Sequence, residues 1–126
     1  MKRLNESGQT LIALLIFMLV AMTITIAAIA VSITNMQSNL SFTTGEVALQ
    51  NANSGIEDAL MRIQRDPSYS GGTLTLPNGN ATISISGSGM LNIVSVGLSG
   101  NFRRTITVTA TLANNTLQVS NWSETP

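Results

Sequence analysis

LIALLIFMLVAMTITIAAIAV, residues 11–31, is an unbroken stretch of 21 residues without a charge, a proline or a glycine, and its only hydroxyls belong to Thr23 and Thr25. A helix rises about 1.5 Å per residue, so this stretch spans roughly 30 Å, the thickness of a bilayer's hydrocarbon core. Its reading decides the fold: a segment this apolar must be covered by lipid or by other helices, and the rest of the chain must fold without it. A cleaved secretory signal carries an apolar region of about 7 to 15 residues ahead of a small-residue cut site. The run here is longer, and it passes into sequence compatible with more helix. Lys2 and Arg3 precede it, and no basic residue follows before Arg62. The positive-inside bias therefore places the N-terminus in the cytoplasm and the bulk of the chain outside.

A chain of 126 residues has room for one small domain beside that segment. Six Lys/Arg balance six Asp/Glu, and no charge occurs between Glu6 and Glu46. The neutral balance argues against general attraction to nucleic acid or anionic lipid. Cysteine and histidine are both absent, which excludes disulfides, thiolate-metal sites and imidazole chemistry. Glu57 and Asp58 only superficially form a carboxylate pair, because adjacent helical positions point about 100° apart. No nucleophile and base can be assembled, and no Asp-rich loop has calcium-binding spacing. The expectation is a non-enzymatic chain with no cofactor and no metal.

Just ahead of the apolar run stands Glu6-Ser7-Gly8-Gln9-Thr10-Leu11-Ile12. A glycine in a polar segment at a membrane face is a plausible protease site. The order, a short basic leader ending in glycine, one further residue, then Thr-Leu-Ile and a hydrophobic helix, resembles the prepilin leader of type IV pilins and type II secretion pseudopilins. That resemblance implies cleavage by a prepilin peptidase between Gly8 and Gln9 and methylation of the new Gln9 amine. It further implies residence in the inner membrane before assembly, and packing on other pilin subunits through the N-terminal helix. Two positions depart from the family pattern. Gln9 stands where phenylalanine is usual, and Ala13 occupies the fifth mature position, where major pilins carry a glutamate that meets a neighbour's N-terminal amine. Ala13 cannot make that pair, as in some minor members of the PilX type and some tip-located pseudopilins. The resemblance therefore implies a minor subunit, tip-located or assembly-priming. The helix-kinking proline of many major pilins is also missing; Ala27, Ala28 and Ala30 stand in that region.

Beyond Val31 no glycine or proline intervenes until Gly45, which interrupts the pattern. Ala48, Ala52, Ile56, Ala59, Leu60 and Ile63 then recur at spacings of three and four, the apolar stripe of an amphipathic helix. Asp58 and Arg62 sit four apart on a neighbouring face. Asp66-Pro67 closes the helix, since the residue before proline is pushed out of the α region. Residues 51–62, with Gly55-Ile56-Glu57 ahead of Ala59-Leu60, also resemble a helix of PilX-type pilin-like proteins.

From Thr73 the apolar period becomes two. Leu74 and Leu76 alternate with threonines, Pro77-Asn78-Gly79-Asn80 signals a turn, and Ala81, Ile83 and Ile85 alternate with hydroxyl residues. A third strand covers Leu91 to Leu98, with a turn at Gly97–Asn101. A fourth carries Ile106, Val108, Ala110 and Leu112; after Asn114-Asn115, a last strand runs from Leu117 to Trp122. Antiparallel strands with one apolar face need a cover, and the amphipathic helix supplies it. The expected class is α+β, a long N-terminal helix, membrane-spanning in its first half and amphipathic in its second, packed against a small antiparallel sheet. The expected divisions are a leader at 1–8, a transmembrane and assembly helix at 9–33, an extracytoplasmic amphipathic helix at 34–66 and a β-domain at 67–126.

Phe102, Arg103 and Arg104 are the remaining candidates for ligand contact, to nucleic acid phosphates or to a surface glycan. Two cations leave a weak electrostatic footprint, and solubility at a strand edge accounts for them without a ligand. Three functions thus stand open: a minor subunit of a type IV pilus-like filament, a type II secretion pseudopilin, or a permanently anchored bitopic envelope protein with a ligand-binding β-domain. An anchor keeps its leader, so the Gly8–Gln9 bond separates the last from the others.

Overall fold

The computed structural model describes residues 2–126, with side chains from Glu6 onward; the side chains of Lys2 and Arg3, on which the orientation argument rests, lie outside the described residues. One helix, α1 (Lys2–Arg65), precedes five strands: β1 (Gly71–Leu76), β2 (Gly79–Ser86), β3 (Met90–Ser99), β4 (Phe102–Ala113) and β5 (Thr116–Thr125). The class is α+β. The chain forms two compact units, Met1–Leu40 and Ser41–Pro126.

In the first unit every described residue is exposed. This part of α1 is long and apolar enough to cross a membrane, with a mean hydropathy of 2.8 over its most apolar window. Its hydroxyls explain how threonines fit such a segment. Thr23 donates to the Val20 carbonyl and Thr25 to that of Ala21, each at 2.8 Å. Ser32 donates to Ala28 and Thr34 to Ala30, each at 3.0 Å. These bonds leave no hydroxyl seeking a partner where water is scarce. The helix also runs unbroken through Gly8 and Gln9, so the expected processing point is not a boundary of secondary structure. One glycine weakens a helix by about 1 kcal/mol, too little to end it.

In the second unit the sheet is a meander of order β1-β2-β3-β4-β5, antiparallel throughout. Ala48, Ala52, Ile56, Ala59 and Ile63 of α1 are completely buried, against Ala81, Ile83, Ile93, Ile106, Val108 and Ala110 of the sheet. The sequence stripe is thus the buried face, with Leu60 half-buried at its margin. Close approach of helix to sheet is set by small residues. A Cβ at Gly55 would overlap Ser95 Oγ and stand 2.9 Å from Ala81 Cβ, and one at Gly97 would overlap the α1 backbone at Ala48 and Ala52.

Two expectations are corrected here. Gly97 and Leu98 belong to β3 rather than to a turn; Gly97 is in the strand because the helix backbone needs a residue without a side chain there. The turn is confined to Gly100-Asn101, with Gly100 at φ 55°. Gly45 does not interrupt α1: it is buried, with Phe102 and Arg104 3.8 Å from where a Cβ would stand. The helix ends at Arg65 as the proline required. The Asp66 amide still donates to the Arg62 carbonyl at 2.7 Å, and Asp66 Oδ1 accepts the Ser68 amide at 3.0 Å. Between β4 and β5, Asn114 and Asn115 both take positive φ, 51° and 61°. That is the backbone of a two-residue hairpin turn, which asparagine tolerates.

Candidate functional site

Gly8 and Gln9 lie on an exposed turn of α1, where Thr10 Oγ1 donates to the Glu6 carbonyl at 2.8 Å. Of the ten glycines in the chain, Gly71, Gly79, Gly87, Gly89 and Gly100 have positive φ, a Cβ at Gly55 or Gly97 would collide with its neighbours, and Gly45 and Gly72 have neighbours at ordinary contact distance. Gly8 has neither a positive φ nor any atom within 4 Å. Neither packing nor backbone conformation asks for glycine there, and its intrinsic effect on a helix is unfavourable. Ala13, a little over one turn further on, is exposed on the same unit and carries no polar group.

The three ligand-contact candidates do not share a surface. β4 alternates, so Phe102 and Arg104 lie on the side that faces α1, near Gly45, while Arg103 lies on the opposite side, paired in register with Leu98. Arg104 Nη1 donates to Glu124 Oε1 at 3.2 Å. The cationic pair read from the sequence is therefore two separate charges, one already matched by a carboxylate. Sequence reading missed Glu124, and nothing local marks it: it lies twenty residues from Arg104 and arrives through the register of β5. The same strand leaves Val119 46% and Trp122 48% exposed.

At the end of α1, Asp58, Met61, Arg62, Arg65, Asp66 and Tyr69 line a shallow open depression. Arg62 Nε donates to Asp58 Oδ2 at 2.7 Å and its guanidinium stands 5.5 Å from the centre of the Tyr69 ring. The hydrogen bond to Asp58 and its charge raise the Arg62 pKa. The Ser68 hydroxyl and then its amide hold the Asp66 carboxyl below the usual aspartate range. These contacts close the helix and order the loop into β1. Among the described residues no group of three acidic, histidine or cysteine side chains stands close enough to hold a metal ion.

Compared with known protein families, curated proteins and solved structures, the chain matches none.

Proposed function

We propose that the chain is a minor structural subunit of a type IV pilus-like filament, inserted into the inner membrane as a precursor and cut between Gly8 and Gln9 by a prepilin peptidase. The observation that carries this reading is Gly8. A residue that weakens its own helix, with no contact and no special backbone angle to justify it, is accounted for by recognition from outside the chain. Its place, between a basic leader and a long apolar run, is where such an enzyme acts from the cytoplasmic face. The role is structural rather than catalytic: α1 packs on other subunits after leaving the bilayer, and the β-domain is carried outside the cytoplasm.

Ala13 supports the minor assignment. A charged side chain in lipid or a dry filament core is expensive unless paired, so the family's glutamate and amine belong together at every repeat. A subunit lacking the carboxylate is tolerated most easily at an end, where assembly starts.

Intact-mass measurement of membrane-extracted protein, from cells with an active peptidase, tests the reading. The expected N-terminus is Gln9 with one added methyl. The unbroken helix through Gly8 favours a second reading, the permanent anchor, and recovery of the full leader would establish that one instead.

A further inference from the structure

From Ile12 to Leu40, every position reached by alternating steps of three and four (Ile12, Leu15, Leu19 and onward) holds a large apolar side chain that is more than half exposed. Inside the apolar run such a pattern is easily met. Past Val31 it is not, because Ile33, Met36 and Leu40 are the only apolar residues among 32–40, and they fall on the same steps. The repeat is seven residues, the period of a helix that keeps one seam against another helix.

The flanks of the seam are a second, independent feature. The hydroxyl residues Thr23, Thr25 and Ser32 sit beside the seam, followed by Gln37 and Asn39, while the positions directly opposite it within the run are Phe17, Ile24 and Val31. Within 11–31 both hydroxyl residues flank the seam while Phe17, Ile24 and Val31 face away, the arrangement expected when a helix lies on the seam and lipid on the far side. Beyond the run polar residues occur all round, with Thr34, Asn35 and Ser38 away from the seam.

We infer that the seam takes a second copy of this chain, parallel and in register. The inference rests on the reading of α1 as a membrane and assembly helix, and names its partner. Two copies inserted with one topology are necessarily parallel. In-register pairing brings identical residues to one level, so any charge on the way would meet its like. None occurs between Glu6 and Glu46; the flanking Thr23, Thr25 and Ser32 hydroxyls donate within α1 and keep acceptor capacity, and side-chain amides such as that of Gln37 both donate and accept. Ile12, Ile26 and Ile33 at one seam position, with Leu15, Met22 and Met36 at the other, suit a two-stranded pair; Leu19 and Leu40 at the first position and Ile29 at the second are the exceptions.

The chain has no cysteine, so one introduced thiol reports one position. The full-length chain is reconstituted alone in phosphatidylcholine vesicles and mildly oxidised. Met36→Cys, on the seam, should form a disulfide dimer in several-fold excess over Ser38→Cys, on the far side. Ile33→Cys and Leu40→Cys should each link to themselves more than to one another when mixed. Energy transfer between unmutated chains labelled after Pro126 gives a readout free of substitution. Equal linking at 36 and 38, stronger linking of 33 to 40 than of either to itself, or no energy transfer would overturn the inference. A chain that is cut at Gly8 yet monomeric would lose only this pairing; one that pairs uncut would lose only the filament reading.

Discussion

Gly8 and Ser95 have identities that the surrounding structure does not reward, and each gives a test by alanine. Alanine at Gly8 meets no atom within 4 Å and should strengthen the helix locally by about 1 kcal/mol. Gly8→Ala is therefore expected to leave helicity by circular dichroism unchanged or slightly raised while abolishing removal of the leader, read by intact mass. Unimpaired removal would show that no enzyme reads the glycine. Ser95 Oγ is fully buried beneath Gly55 and makes no hydrogen bond. A buried hydroxyl without a partner costs about 1–3 kcal/mol, so Ser95→Ala should raise the thermal midpoint in detergent rather than lower it. Asp66 offers a pH test. Its carboxyl is held low by the Ser68 hydroxyl and amide, so its contribution is complete above the unfolded pKa and lost as pH falls through the lower folded value. The Ser68 amide resonance should titrate with a midpoint below the usual aspartate range; a midpoint within that range would mean the two bonds are absent in solution.

At the scale of elements, the contact between α1 and the sheet depends on the absence of side chains as much as on their presence. Ile56, Ile63, Ile93 and Ile106 fill the interface, but they meet only because Gly55 and Gly97 let the backbones come close. A Cβ at Gly97 would strike α1 backbone atoms rather than a movable side-chain end, so Gly97→Ala must push the helix away. Such overpacking typically costs about 1–3 kcal/mol, and removing apolar volume from the same layer with Ile56→Ala typically costs about 2–5 kcal/mol. Thermal unfolding of the full chain in detergent, followed by β-sheet ellipticity, should show both variants less stable than the parent. An unchanged midpoint for Gly97→Ala would contradict the close approach. Asn51 adds a polar tie at the same level, its Nδ2 donating to the Leu98 carbonyl at 2.9 Å.

For the molecule as a whole, the placement of charge leads to the prediction on topology. With Lys2 and Arg3 before the apolar run and no basic residue until Arg62, a reporter fused after Pro126 should be active only outside the cytoplasm, and externally added protease should reach the β-domain. Cytoplasmic activity would reverse the orientation. Ala13 leads to a second outcome at this scale. If the missing carboxylate restricts the subunit to an end of the filament, quantitative mass spectrometry of sheared filaments should find a few copies each, and a label on the β-domain should mark tips. Uniform labelling along the shaft would show that the filament does not need the charge pair at every repeat.

What the sequence determined by itself was whatever rests on composition and period. The apolar run, the stripe from Ala48 to Ile63, the stop at Asp66-Pro67 and the alternation along β1, β2 and β4 all express local rules, 3.6 residues per turn or two per pleat, and they are legible without partners. So is the α+β class, since one apolar stripe and one apolar sheet face must cover each other. Tertiary structure decided what local signals misplace. Gly97 reads as a turn by composition and is a strand residue because a helix backbone crosses it. Gly45 reads as a break and stays helical, packed beside Phe102 and Arg104. Arg103 and Arg104 read as one basic patch and are divided by the pleat, with Glu124 brought to Arg104 by the register of β5. In each case the deciding neighbour is distant in sequence, and only the folded register brings it close.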